Sequence, residues 1–171
     1  MIVKKLLIFP LAALLIGSSL HARESAGFVN ILPILLGWHN AISIEQENAI
    51  SDSVTQEISW SQVEEGTLGS KALTIGYGRK FYFDKAFSGS FWGFNSHLIK
   101  LESTGSSLSS IFGMLTDSLG GVHNGNFYGV SVDCGYVFQF ESILFKFHLR
   151  GTHIFAPIDS SLLGINLKVG I

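Results

Sequence analysis

The chain has 171 residues, of which 11 are basic and 13 acidic, for a formal net charge of -2. That balance provides no basic footprint for nucleic acid, and the lone Cys134 excludes an internal disulfide. Charged residues make up only 14% of the chain and mean hydropathy is +0.38, against about 25% charged in soluble domains. After the N-terminal region no stretch is long and apolar enough to span a bilayer as a helix. Apolar residues spread over alternate positions are what a transmembrane β-barrel requires.

The N-terminal segment has three parts: Lys4 and Lys5, an apolar run from Leu6 to Ile16, and small polar residues from Gly17 to Ser19 before Ala22. This is the pattern of a cleaved secretory signal peptide, too short for the roughly 20 residues of a spanning helix. Residues 1–22 are expected to be the signal, with cleavage after Ser19 as the other option, and 23–171 the outer-membrane β-barrel domain. No Cys follows for lipid attachment.

The first candidate strand, Gly27 to Leu36, is apolar on both faces and contains Pro33, which weakens it as a strand. Next, Ile42 and Ile44 oppose Ser43, Glu45 and Glu47, and Ile58 and Trp60 oppose Glu57, Ser59 and Ser61. Leu73, Ile75 and Tyr77 then oppose Thr74, Gly76 and Gly78. From Ser90 to Glu102 the alternation slips near Leu98 and Ile99, which suggests a bulge. Three clean period-two segments follow. Tyr128, Val130, Val132, Cys134, Tyr136 and Phe138 share one face; so do Ile143, Phe145, Phe147 and Leu149; so do Leu163, Ile165, Leu167, Val169 and Ile171.

Eight segments in all suit the smallest common membrane barrels. The second, fourth and sixth connections (51–53, 84–89 and 139–142) are short, as periplasmic turns are. The third (63–70) is longer and the fifth (103–124) much the longest, as external loops are. Phe81, Phe83, Phe87, Phe91, Trp92, Phe138 and Phe140 fall near one end, and Trp38, Trp60, Tyr128 and Phe155 near the other. Two aromatic belts are the expected result.

The non-apolar faces decide what lies inside. They are rich in Gly and Ser (Gly76, Gly78, Gly129, Ser131, Gly135, Gly164, Gly170), which fit a crowded lumen better than an exposed strand. On the same faces stand Glu45, Glu47, Glu57 and Asp133 against Lys80, Lys146, Arg150 and Lys168, four of each sign. Buried charges require partners, so a filled lumen of ion pairs is expected, with His97, His148, Asn95 and Asn166 satisfying the remainder. The alternative, a soluble exported lipocalin-like carrier, would turn its apolar faces inward around an apolar ligand.

Together, Asn30 to Gly37 leading into Ile42 to Glu47, Ile50 to Asp52, Ile75 to Tyr82, Val132 to Tyr136 and the closing segment Leu163 to Ile171 resemble the small outer-membrane barrels of the OmpA and OmpX type and related families of unknown function. The resemblance implies an all-β, eight-stranded antiparallel up-and-down transmembrane barrel, surrounded by outer-membrane lipid in a Gram-negative bacterium. Members of that family commonly end in Phe, which the barrel-assembly machinery reads; this chain ends in Ile171.

Within the fifth connection, Leu108, Ile111, Phe112, Leu115 and Leu119 recur at helical spacing before Gly120 and Gly121. A short helix there has three readings: it caps the barrel mouth, lies on the outer leaflet, or docks an unknown surface partner. His39, His123, His153 and Asp159 fall towards the same end, but their spacing matches neither a nucleophile–base arrangement nor a metal motif. The sequence therefore points to a non-enzymatic barrel without cofactor or metal, in a structural or surface-interaction role through residues 103–124. A lipid-modifying enzyme is a distant third reading.

Overall fold

In the computed structural model the described residues are 24–36, 41–65, 70–102, 124–155 and 160–171. Eight antiparallel strands, each bonded to its neighbours in sequence, close into one barrel. They are β1 (Ser25–Asn30), β2 (Ala41–Ser51), β3 (Val54–Glu65), β4 (Ser70–Tyr82), β5 (Gly89–Glu102), β6 (Asn124–Phe140), β7 (Ile143–Ile154) and β8 (Ser160–Gly170). Both ends of the described chain meet at the rim that carries the short connections. There Gly27 and Ile171 exchange backbone hydrogen bonds at 3.1 and 3.2 Å.

The register fixes the shape. From Phe28 the pairs run through Glu45, Ser59, Gly76, His97, Gly129 and Ile154 to Ser160. Phe28 itself pairs with Gly170 across the closing seam, so the circuit is offset by ten residues on β8. For eight strands this shear sets a tilt of about 40° and leaves an interior just wide enough for side chains. The seam is the shortest ladder: three residue pairs join β1 to β8, extended by the bonds at Gly27 and by Ile31 N–H to Leu167 C=O.

The first segment differs from its expected course. β1 stops at Asn30, and α1 (Leu32–Leu35) follows, with Pro33 in its first turn. There the missing N–H costs nothing and the fixed φ suits a helix. No bulge occurs at Leu98 and Ile99, where the β4–β5 and β5–β6 registers are continuous; the one irregularity in the ladders is between Ala49 and Ser51. The alternation slips in sequence at Ile99 because the lumen itself becomes apolar at that level. Ala72, Leu101, Phe127 and Ile154 form a cluster there, with Ile99 and Leu162 packed against it.

A second apolar cluster closes the other end: Ala26, Phe28, Tyr82, Phe87, Phe91, Val137 and Leu144. Phe87 and Phe91 thus point inward, and do not join an outer aromatic belt. Phe87 has a φ of 65°, rare for a bulky residue. It is held there by burial of its ring and by the Ala86 N–H bond to Asp52 C=O at 2.7 Å, which folds the fourth connection over the mouth. Gly78 and Gly135 make room between these plugs: a Cβ at Gly78 would collide with Asn95 and the Phe94 carbonyl, and one at Gly135 with the Phe147 carbonyl and His148.

Outward, most of the wall is apolar. Val132 is 63% exposed and Leu163 78%. On β6 the outward run from Tyr128 to Phe140 covers roughly 25–30 Å along the axis at this tilt, matching the apolar band of membrane barrels. Phe81 stacks on Trp92 at 4.6 Å and Phe138 on Phe145 at 5.0 Å. Trp38 and the expected loop helix (Leu108, Ile111, Phe112, Leu115, Leu119) lie outside the described residues, as does the N-terminal segment 1–23.

Candidate functional site: the charged lumen

Strand parity places the carboxylates and the cations on the same inner face, and the tilt brings strands from opposite walls within side-chain reach. Lys80 on β4 donates to Glu45 and Glu47 at 2.9 Å and also to Glu57. Lys146 on β7 reaches Glu45 and Glu47, and Lys168 on β8 reaches Glu45. The side chains of Lys80, Lys146 and the three glutamates are fully buried.

One layer further along, Arg150 grips Asp133 with two parallel bonds at 2.7 Å and bonds to Glu57 at 3.1 Å. This fork geometry suits Arg and not Lys. Asn95 donates to Asp133 at 2.9 Å. Glu57 thereby joins the lysine cluster to the Arg150–Asp133 pair, and all eight charged residues form one continuous network with equal numbers of each sign.

The remaining polar residues divide. His97 Nε2 and Ser131 Oγ lie 2.8 Å apart, and Asn30 donates to Asn166 at 3.0 Å. His148 does not join the network. It is buried without a hydrogen-bond partner for either ring nitrogen among the described residues, edge-on to Phe91 at 6.2 Å. Sequence reasoning missed Thr55 and Tyr82, whose hydroxyls donate to Glu47 at 2.8 and 2.9 Å. Both lie at the parity of neighbours already placed inside, Glu57 and Lys80, so extending that parity by one step finds them.

Glu45, Glu47 and Glu57 bring one carboxylate oxygen each within 4.8 Å of one another, a spacing open to a metal ion. Three lysines and Arg150 already supply the positive charge to these oxygens, so the donor set is that of an ion-pair core. Cation–π contacts complete the packing, with Lys146 Nζ 4.7 Å from the Phe28 ring and 5.1 Å from that of Phe91. Of the rim residues, His39, His123 and Asp159 lie outside the described residues. His153 faces outward, with Nδ1 3.0 Å from Ser161 Oγ and its ring against Phe155 at 4.9 Å.

No family model matches the chain, and no curated protein matches it in sequence. Among solved structures it is similar to Neisserial surface protein A, with a TM-score of 0.52 and 11% identity, covering 86% of this chain and 92% of that one. A further match, to the N-terminal β-barrel domain of OprF from Pseudomonas aeruginosa, has a TM-score of 0.48 and 12% identity, over 86% and 96%. At these identities the likeness is one of fold: a small eight-stranded barrel.

Proposed function

We propose that the chain is an integral outer-membrane barrel of a Gram-negative bacterium, exported by the cleaved segment 1–22, with a lumen closed to solutes and a structural or surface-interaction role. The observation that carries this reading is the inversion of the wall: exposed Val, Leu, Ile and aromatic side chains outside, and eight mutually paired charges inside. A lipocalin-like carrier needs the reverse, an apolar cavity under a polar surface. The Neisserial neighbour is named for its place at the cell surface, which agrees with an exposed role.

In this reading lipid covers the wall, the barrel-assembly machinery inserts the chain, and the specialised part is the external connection 103–124, which meets a surface partner still to be identified. The work is non-enzymatic and needs no cofactor. Heat-modifiable migration on detergent gels, with cell fractionation, tests it: the folded form should run faster than the boiled one and stay with the outer membrane. Recovery of the protein in the soluble fraction without detergent would overturn the proposal. Deleting 106–121 should leave a folded barrel with altered surface binding.

A further inference from the structure

The outer wall is not uniformly apolar. Towards the periplasmic rim the β6–β7 side presents Tyr136, Phe138, Phe140, Phe145 and Phe147. The side formed by β2, β3 and β4 sets Gln46, Asn48, Gln56 and Arg79 beside the exposed Ile58 and Tyr77 at comparable depth. The register sets Asn48 against Gln56 and Gln56 against Arg79, in one row across three strands. All face outward, since their sequence neighbours Glu47, Glu57, Gly78 and Lys80 are buried inside.

Arg79 is two positions deeper along β4 than Phe81, about 5 Å along the axis at this tilt. It pairs with Phe94, just inside the stacked Phe81 and Trp92. Its guanidinium makes no ion pair or hydrogen bond with any described residue, in contrast to every charge in the lumen. Gln46, two positions along β2, donates from Nε2 to Asn48 Oδ1 at 3.4 Å, the one side-chain bond to the row among the described residues. No carboxylate stands among the outward positions at this level of β2 to β4, so the patch is rich in donors and carries net positive charge.

We propose that this row is a binding site for the phosphodiester headgroup of an inner-leaflet glycerophospholipid, with Arg79 as its anion-binding residue. An unpaired guanidinium facing lipid is costly. A side chain of this length, starting about 5 Å inside the aromatic belt, reaches the headgroup level by snorkelling. There a guanidinium binds phosphate oxygens through two parallel bonds. The amides of Gln46, Asn48 and Gln56 supply further donors, while Phe81, Trp92 and Phe94 flank the acyl chains. The inference rests on the membrane reading above.

The full-length folded barrel, reconstituted in nanodiscs with equal amounts of phosphatidylglycerol and phosphatidylethanolamine and released for native mass spectrometry, tests this. Wild type should retain one phospholipid per barrel. Arg79→Gln should lower the retained fraction about tenfold, the effect of losing a charge-assisted contact. Arg79→Lys should fall between, and Lys100→Gln, outward at the opposite rim, should match wild type. Equal retention by wild type and Arg79→Gln overturns the inference alone, as does an Arg79-dependent dimer without lipid. Failure of the wild type to enter nanodiscs overturns the membrane reading, and this inference with it.

Discussion

Glu45 and Gln46 are adjacent in sequence and stand on opposite sides of the same wall. Glu45 accepts from three lysines drawn from β4, β7 and β8, whereas the outward row of Gln46, Asn48, Gln56 and Arg79 is answered by nothing among the described residues apart from one amide contact. The inside must be neutralised by the protein itself, because fully buried charges are out of reach of bulk solvent. The outside can leave its charge to the surroundings, and so its polar residues report what those surroundings are.

The sharpest way to break this comparison is Glu45→Ala. It leaves Lys80, Lys146 and Lys168 short of a carboxylate in a buried layer and should cost about 3–5 kcal/mol. Gln46→Ala, one residue along, should stay within about 0.5 kcal/mol. Denaturant unfolding of both variants in detergent micelles measures the difference, and equal losses would sink the claim that the lumen network carries stability. Val132→Arg, near the middle of the outward run on β6, should cost about 2–4 kcal/mol in a bilayer, the depth-dependent penalty for a lipid-facing cation. No penalty in lipid vesicles would mean that this face does not meet hydrocarbon. The smallest effect is expected at Lys71→Met, which removes a half-exposed pair with Glu64 at 3.2 Å. Such pairs are worth at most about 1 kcal/mol, so a larger loss of stability would show that rim charges are not separable from the network inside.

Much of this arrangement is legible in the amino-acid sequence, for a physical reason. A strand's side-chain period is two, so one apolar face assigns the other, and Tyr128 through Phe138 fix where Asp133 must point. Parity loses its power where both faces are apolar. Ile99 and Leu101 look like a slip in register because they face a plug and not the charged layer. Phe87 looks like a belt residue because sequence position does not reveal that the fourth connection folds over the mouth, whereas Phe91 stands on β5 at the inward parity of Asn95 and His97, opposite to Trp92. Pro33 weakens a strand in sequence, but that it opens a helical turn emerges only in three dimensions. The choice of partners inside the lumen is legible as a balance of charge and not as a wiring, since the ten-residue shear decides which strands face one another across the interior.

The short seam between β1 and β8 has a consequence for how such a chain can be assembled. Fourteen residue pairs join β5 to β6, but only three join the first strand to the last, so the joint is made by more than its ladder. Glu45 and Glu47 on β2 meet Lys146 on β7 and Lys168 on β8 across that joint. In an open sheet Glu45 and Glu47 stand near one edge, with only Lys80 of their own side to answer them, and Lys146 and Lys168 stand near the other; curling the sheet shut joins the two sets in one event. On the proposed membrane reading, closure and entry into the bilayer become coupled steps, because the sheet suits lipid only when its edges meet.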